Sequence, residues 1–144
     1  MSQGPLKLPC HCGTLRQAAR AVTAMYDARL APHGIRITQF TILMALYGAE
    51  AASMRGLSAA LLLDQTTLSR TLATLRSRKL VRSLPDRDDK RVHLWCLTRT
   101  GEKLYEACLP DWEAAQRELA RHGGKGDLQA FSNEVYQLTE ALAG

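Results

Sequence analysis

No apolar run in this chain of 144 residues approaches the ~18 needed to cross a membrane. The N-terminal stretch also lacks the basic start and apolar centre of a signal peptide, so a cytoplasmic protein with no membrane partner is expected. Nothing resembles a phosphate-binding loop, a paired-carboxylate site or a serine triad, and no Cys-x-x-Cys stands at the start of a helix. An enzyme would have to work without any of these site geometries. There is no internal repeat, low-complexity tract or sign of a second domain. What remains is a single domain over residues 1–144, whose 46% hydrophobic content is enough for a real core. Cysteine is sparse, with four in all. They would permit two disulfides, but a cytosolic setting argues for reduced thiols, metal ligands or redox sensors.

Acidic residues are also unevenly supplied. The net charge is only +5, yet from Arg70 to Lys103 ten Lys and Arg face four Asp and Glu, a local +6. From Glu106 to the end, three Lys and Arg face seven Asp and Glu, a local −4. A basic middle and an acidic tail are expected where one face alone meets polyanionic phosphate.

Residues Met1 to Pro9 contain Gly4, Pro5 and Pro9 and read as an irregular arm. A helix is predicted from about Thr14 to Leu30, ended by Pro32 and Gly34, and a second from Gln39 to about Ala49 with Thr38 as its N-cap. Phe40, Ile42, Leu43 and Leu46 make that second helix mostly buried. Ser53 to Arg55 read as an edge strand. Beyond residue 97, Thr98 is the expected N-cap of a long helix toward Arg121, kinked near Cys108 by the internal Pro110 and ended by His122, Gly123 and Gly124. Asp127 to Leu142 form a last amphipathic helix, with Leu128, Phe131, Val135, Leu138 and Leu142 in register.

Between these lies the stretch Leu57 to Arg91, read as a short apolar helix, a turn, a second helix, a strand and a charged hairpin tip. In the second of these helices Leu68, Leu72 and Leu75 fall on one buried stripe. Thr66, Arg70, Ala73, Thr74 and Ser77 occupy the opposite face, where an ordinary solvated surface would favour long Glu and Lys side chains. A face this thin lets the backbone sit deep in a major groove while hydroxyls and an arginine reach phosphates and base edges. Lys79 to Leu84 and Val92 to Leu97 read as two strands closed by a polar turn, Pro85 to Lys90. A helix-turn-helix beside such a hairpin is a winged helix, whose wing follows the backbone or enters the minor groove.

Asp89, Arg91, Leu97, Thr98 and Gly101 reproduce the D-x-R-x5-L-T-x-x-G signature of the MarR family of bacterial transcription regulators, and Thr67, Ser69 and Arg70 match its recognition-helix T-x-S-R. From about Leu15 onward the chain resembles that family. The resemblance implies a mainly α fold with a small β wing, a winged helix-turn-helix made dimeric through its terminal helices. Residues 36–102 would be the DNA-binding region, and 1–35 with 103–144 the dimerisation helices. One position departs: the family often has glycine where this chain has Leu62, and a leucine at positive φ would be strained by about 1 kcal/mol or more. The first head helix is therefore expected to run on there, or to turn differently.

The terminal helices are too apolar to bury their stripes on a small head alone, so a second copy is their expected partner. Two recognition helices would then reach successive major grooves about 34 Å apart on a near-palindromic double-stranded site. Gln65, Thr66, Thr67, Ser69 and Arg70 form the expected major-groove set, and Arg76 and Arg78 are assigned to phosphate because they lie late in the helix. At the wing, the resemblance implies that Arg91 enters or borders the minor groove, next to Lys90, while Asp89 orients basic side chains. Asp89 could equally be a turn residue that accepts backbone hydrogen bonds.

No cofactor is fixed by the sequence. A repressor of this kind would be released by an effector, and two candidates stand. Cys10, His11 and Cys12, followed by Gly13, could present two soft ligands and a third to a thiophilic metal ion, or cross-link to the partner subunit, although Cys-x-Cys is a weak signal and near a terminus such a pair is more often inert or merely packed. A small aromatic or acidic effector could instead sit between the dimer helices and the head, near Arg16, Tyr26, His33 and Tyr47. Against the regulator stand a thiol-dependent enzyme, using Cys10, Cys12, Cys96 or Cys108, and an interaction module with no DNA role. The latter leaves the thin face around Arg70 unexplained.

Overall fold

Leu68, Leu72 and Leu75 have no exposed surface, and they sit in the core of the computed structural model, which describes residues 4–123 and 126–144. Around them close Leu30, Phe40, Ile42, Leu43, Leu46 and Leu57 from the preceding helices and Leu80, Val81, Trp95 and Leu97 from the sheet. Each fully buried Leu or Ile side chain contributes about 1.5–3 kcal/mol of transfer free energy. The apolar spacing of the sequence is thus the main organiser of the head.

The elements run α1 His11–Leu30, a 3-10 turn Ala31–His33, α2 Ile37–Ala49, β1 Ala52–Ser53, α3 Met54–Leu61, α4 Gln65–Ser77, β2 Val81–Pro85, β3 His93–Leu97, α5 Arg99–His122 and α6 Leu128–Ala143. The antiparallel sheet has the order β1-β3-β2, with Pro85 opposite His93 and Val81 opposite Leu97. This is the expected winged helix, and several boundaries move for local reasons. Helix α1 begins three residues early because the Cys10 thiol accepts the Gly13 N–H at 3.4 Å and caps it. Thr38 is not the cap of α2: the chain turns helical after Arg36, whose N–H donates to the Gln39 side chain at 3.1 Å. The edge strand stops at Ser53, because the Ser53 hydroxyl accepts from Gly56 N–H and starts α3 there. Lys79 lies in a turn at φ 59 instead of opening β2.

The expectation at Leu62 is overturned. Leu62 adopts the left-handed conformation itself, φ 49 and ψ 41, and ends α3 where a glycine would. Its N–H and that of Leu63 both donate to the Ser58 carbonyl, and the Ser58 hydroxyl donates to the Leu63 carbonyl at 2.5 Å. These bonds satisfy the helix end, which offsets the backbone strain and lets the turn form.

Helix α5 runs through Pro110, which has no N–H to offer the Glu106 carbonyl. At its start, Thr98 accepts from Gly101 N–H at 3.0 Å while its hydroxyl donates to the Lys79 carbonyl at 2.6 Å. Its other end falls at His122 with Gly123 as cap; Gly124 lies outside the described residues. Alongside, α1 is tied to α5 by Arg29 to Glu118 and by Tyr26 to Gln116, and the 3-10 turn after it by His33 to Asp111. Helix α6 buries no residue against the rest of the chain, and Phe131, Tyr136, Leu138 and Leu142 stand exposed on it.

Two substitutions test this description by thermal melting. A Cβ at Gly101 would overlap the Leu80 carbonyl, so Gly101→Ala is expected to cost about 3 kcal/mol or more, and an unchanged melting temperature would contradict the contact. Leu62 keeps 57% of its surface exposed and so loses little burial on truncation. Leu62→Gly is therefore expected to gain about 1 kcal/mol by relieving the left-handed strain; a lower melting temperature would show that the leucine side chain matters more than its backbone.

Candidate nucleic-acid interface

Helix α4 is held at its start by Asp64, whose carboxylate accepts the Thr67 N–H at 2.7 Å and the Thr67 hydroxyl at 2.8 Å. Those bonds, the backbone one foremost, hold the Asp64 carboxyl below its ordinary range. Thr67 is thus committed to the cap. Further along, the Thr71, Thr74 and Ser77 hydroxyls donate to carbonyls within the same helix. Their lone pairs remain available, but the helix surface stays thin. Gln65, Thr66, Ser69 and Arg70 are exposed and make no side-chain hydrogen bond to the described residues. They form one accessible strip on the first turns of the helix.

The wing tip is built by its own hydrogen bonds. Asp86 N–H donates to the Val92 carbonyl at 2.8 Å and Val92 N–H to the Asp89 carbonyl at 2.9 Å. The Asp89 carboxylate accepts from Arg91 Nε at 3.1 Å, Nη2 at 3.2 Å and the Arg91 backbone N–H at 3.1 Å. The one carboxylate thus bonds both the turn backbone and the Arg91 guanidinium. Arg91 keeps 91% of its side-chain surface exposed, and Lys90 is exposed beside it. The tip presents cations without burying them.

Arg76 lies with its guanidinium over the Trp95 ring, 5.5 Å from the centroid, a cation–π contact. Together with Arg55, Gln65, Arg91 and His93 it lines a hollow of about 600 Å³ between α4 and the wing. A smaller hollow of about 240 Å³ brings Arg36, Thr38 and Gln39 beside Arg70, Thr71 and Thr74. Arg36, Thr38 and Arg55 were missed by the sequence reading. Each is a cation or hydroxyl near a helix start, a signal that depended on placing the starts of α2 and α3 correctly. Arg78 is exposed as well, and its Nη1 donates to the Gly34 carbonyl at 2.8 Å.

Cys10, His11 and Cys12 are all exposed at the start of α1. Gly13 is helical there and does not wrap, and among the described residues no group of three or more His, Cys, Asp and Glu could hold a metal ion. Of Arg16, Tyr26, His33 and Tyr47, the last three all lie against α5. Tyr26 is engaged by Gln116, His33 by Asp111 at 2.6 Å, and Tyr47 by the Tyr105 ring at 4.5 Å. Burial pushes the Cys108 thiol up to about 11, with Asp111 adding to it, so at neutral pH this thiol is protonated and a poor nucleophile.

Residues 33–92 match a family model described as the MarR family. The transcriptional repressor NicR of Pseudomonas putida is 31% identical over 96 residues, 67% of this chain and 61% of NicR; the chain thus spans about three fifths of that relative's length. Among solved structures, the M. tuberculosis transcriptional regulator MosR in complex with DNA is 31% identical, with 92% of this chain and 96% of that one covered at a TM-score of 0.83. BpsR of Bordetella bronchiseptica, a structure concerned with regulation of its DNA binding by 6-hydroxynicotinic acid, is 25% identical, with 98% and 99% covered at 0.80.

The wing geometry makes a titration prediction. The Arg91 side chain, and then its backbone N–H, hold the Asp89 carboxyl below the ordinary carboxylate range. An NMR titration should find its midpoint lowered, and Arg91→Ala should return it toward the ordinary value. Because the folded value is depressed, the turn's gain from this pair is present above the unfolded carboxylate range and is lost as pH falls through the folded midpoint. An Asp89 midpoint that Arg91→Ala does not move would remove the fork.

Proposed function

The chain belongs to the MarR family, and from that premise we propose that it is a homodimeric, sequence-specific DNA-binding transcription regulator that acts as a repressor until an effector releases it. The observation that carries this reading is the accessible strip Gln65, Thr66, Ser69 and Arg70 on the first turns of α4, set beside a wing tip that offers Lys90 and Arg91. Thr67 completes the strip by fixing the cap. The strip enters a major groove, where Arg70 is suited to guanine edges and the short polar side chains to adjacent positions. Arg91 and Lys90 track the neighbouring backbone or minor groove, with Asp89 holding the Arg91 guanidinium in its plane, and Arg76 contributes charge between them.

Residues 1–35 and 103–144 form the dimer and 36–102 the head. The unburied face of α6 supports this division, since Phe131, Leu138 and Leu142 stand exposed on it. Pairing of these faces with a second copy sets two α4 helices on successive major grooves of a near-palindromic double-stranded operator. Membership in a family of transcription regulators sets aside the thiol-enzyme reading. Such a protein works in the cytoplasm, where its operator lies; no helix among the described residues is long and apolar enough to cross a membrane. The effector is a small aromatic or acidic molecule, or a thiophilic agent acting on Cys10 and Cys12, whose exposed thiols at the cap of α1 are open to it.

A gel-shift titration on DNA from upstream of the protein's own coding region tests the reading. Salt-sensitive, sequence-dependent binding is expected, and its absence would count decisively against a regulator. Arg91→Ala should weaken binding by about 1–3 kcal/mol with the dimer intact. Arg70→Ala should cost at least as much and also relax the sequence preference; a uniform loss on every sequence would reassign Arg70 to phosphate.

A further inference from the structure

Arg78 caps the C-terminal end of α4, the end away from Gln65. Thirteen residues of helix at 1.5 Å each put it about 20 Å from Gln65, and recognition helices read with their N-terminal residues. Its partner is a backbone carbonyl 44 positions back in the chain. Gly34 sits at φ 67 and ψ 26, the left-handed residue that closes the 3-10 turn between α1 and α2. Its carbonyl belongs to neither helix, and among the described residues Arg78 is the donor it has. The cation also lies where the C-terminal end of the α4 dipole favours positive charge.

The same end of α4 is held from its other side. Thr98, the cap of α5, donates its hydroxyl to the Lys79 carbonyl at 2.6 Å and its N–H to the Leu80 carbonyl at 3.1 Å. The C-terminal turn of the reading helix is therefore fastened both to the helix that follows the wing and to the hinge that follows α1.

We propose that Arg78 is a positioning residue, a strut between the C-terminal end of α4 and the Gly34 hinge that makes the pose of the reading helix follow that of α1, and not a phosphate contact. Its consequence for DNA rests on the regulator reading above; the strut itself is a property of the free protein. An effector or contact that shifts α1 then shifts α4 through this bond, without touching DNA.

The test uses Arg78→Ala in the full chain, with two measurements. In the free protein, hydrogen exchange of the hinge amides is followed, namely Gly34, which donates to Ala31, and Ile37, which donates to Asp27 at 2.7 Å. Both should exchange about ten-fold faster than in the parent protein. On upstream DNA, affinity is measured across salt concentrations. It should fall about ten-fold at every salt with the slope of log K against log salt unchanged. A phosphate contact predicts instead that the slope falls by about 0.9 per subunit, and that result would overturn the proposal. Unchanged exchange at Gly34 and Ile37 would overturn it whatever DNA does. If the parent protein binds no DNA, the regulator reading fails while the exchange measurement still decides the strut.

Discussion

The contact on which the geometry of the head depends is the approach of the α5 backbone to the chain at Leu80. At Gly101 there is no room for a Cβ against the Leu80 carbonyl, and Thr98 closes the same junction with bonds to Lys79 and Leu80. Three things meet there: the C-terminal turn of α4, the first residue of the wing and the start of the longest helix. A larger residue would prise them apart, and the leucine stripe of α4 could no longer reach the core it shares with Phe40, Leu46 and Trp95. The threonine and glycine of the L-T-x-x-G signature are thus explained by packing, without reference to DNA.

With its rear end fixed, α4 offers only its front to a partner. The hydroxyls of Thr71, Thr74 and Ser77 bond inward to their own helix, so the exposed face carries little that must be desolvated. Burying an unpaired polar group costs more than a new hydrogen bond returns. A helix whose later hydroxyls are already bonded inward, behind an open strip of Gln65, Thr66, Ser69 and Arg70, is therefore suited to a groove whose walls carry phosphate. The acidic residues from Glu106 onward are carried by the second half of the chain, on α5, α6 and the segment between them, and not on the basic stretch Arg70 to Lys103.

The features legible in the sequence are those set by burial or by neighbours within about four residues. The period of Leu68, Leu72 and Leu75 follows from a helix with one dry face, and Thr98 as a cap follows from its place before Gly101. The signature residues Asp89, Arg91, Leu97, Thr98 and Gly101 bracket β3 of the wing. What was hidden depends on distant groups or on competing local bonds. Leu62 takes a glycine's conformation because Ser58 satisfies the turn from both sides. Arg36 and Thr38 join Arg70 only across a hollow between α4 and the start of α2, and Arg78 finds Gly34 across 44 positions. The Cys10 thiol caps α1 by accepting the Gly13 N–H, a role that depends on where the helix starts.

The central claim is that two copies of the α4 strip read one operator together. Hydroxyl-radical footprinting of the protein on its upstream DNA tests it most directly. The account predicts two protected tracts on one face of the duplex, about 10 base pairs apart centre to centre, with minor-groove protection flanking them where the wings lie. A single protected tract, or two tracts on opposite faces of the duplex, would contradict it.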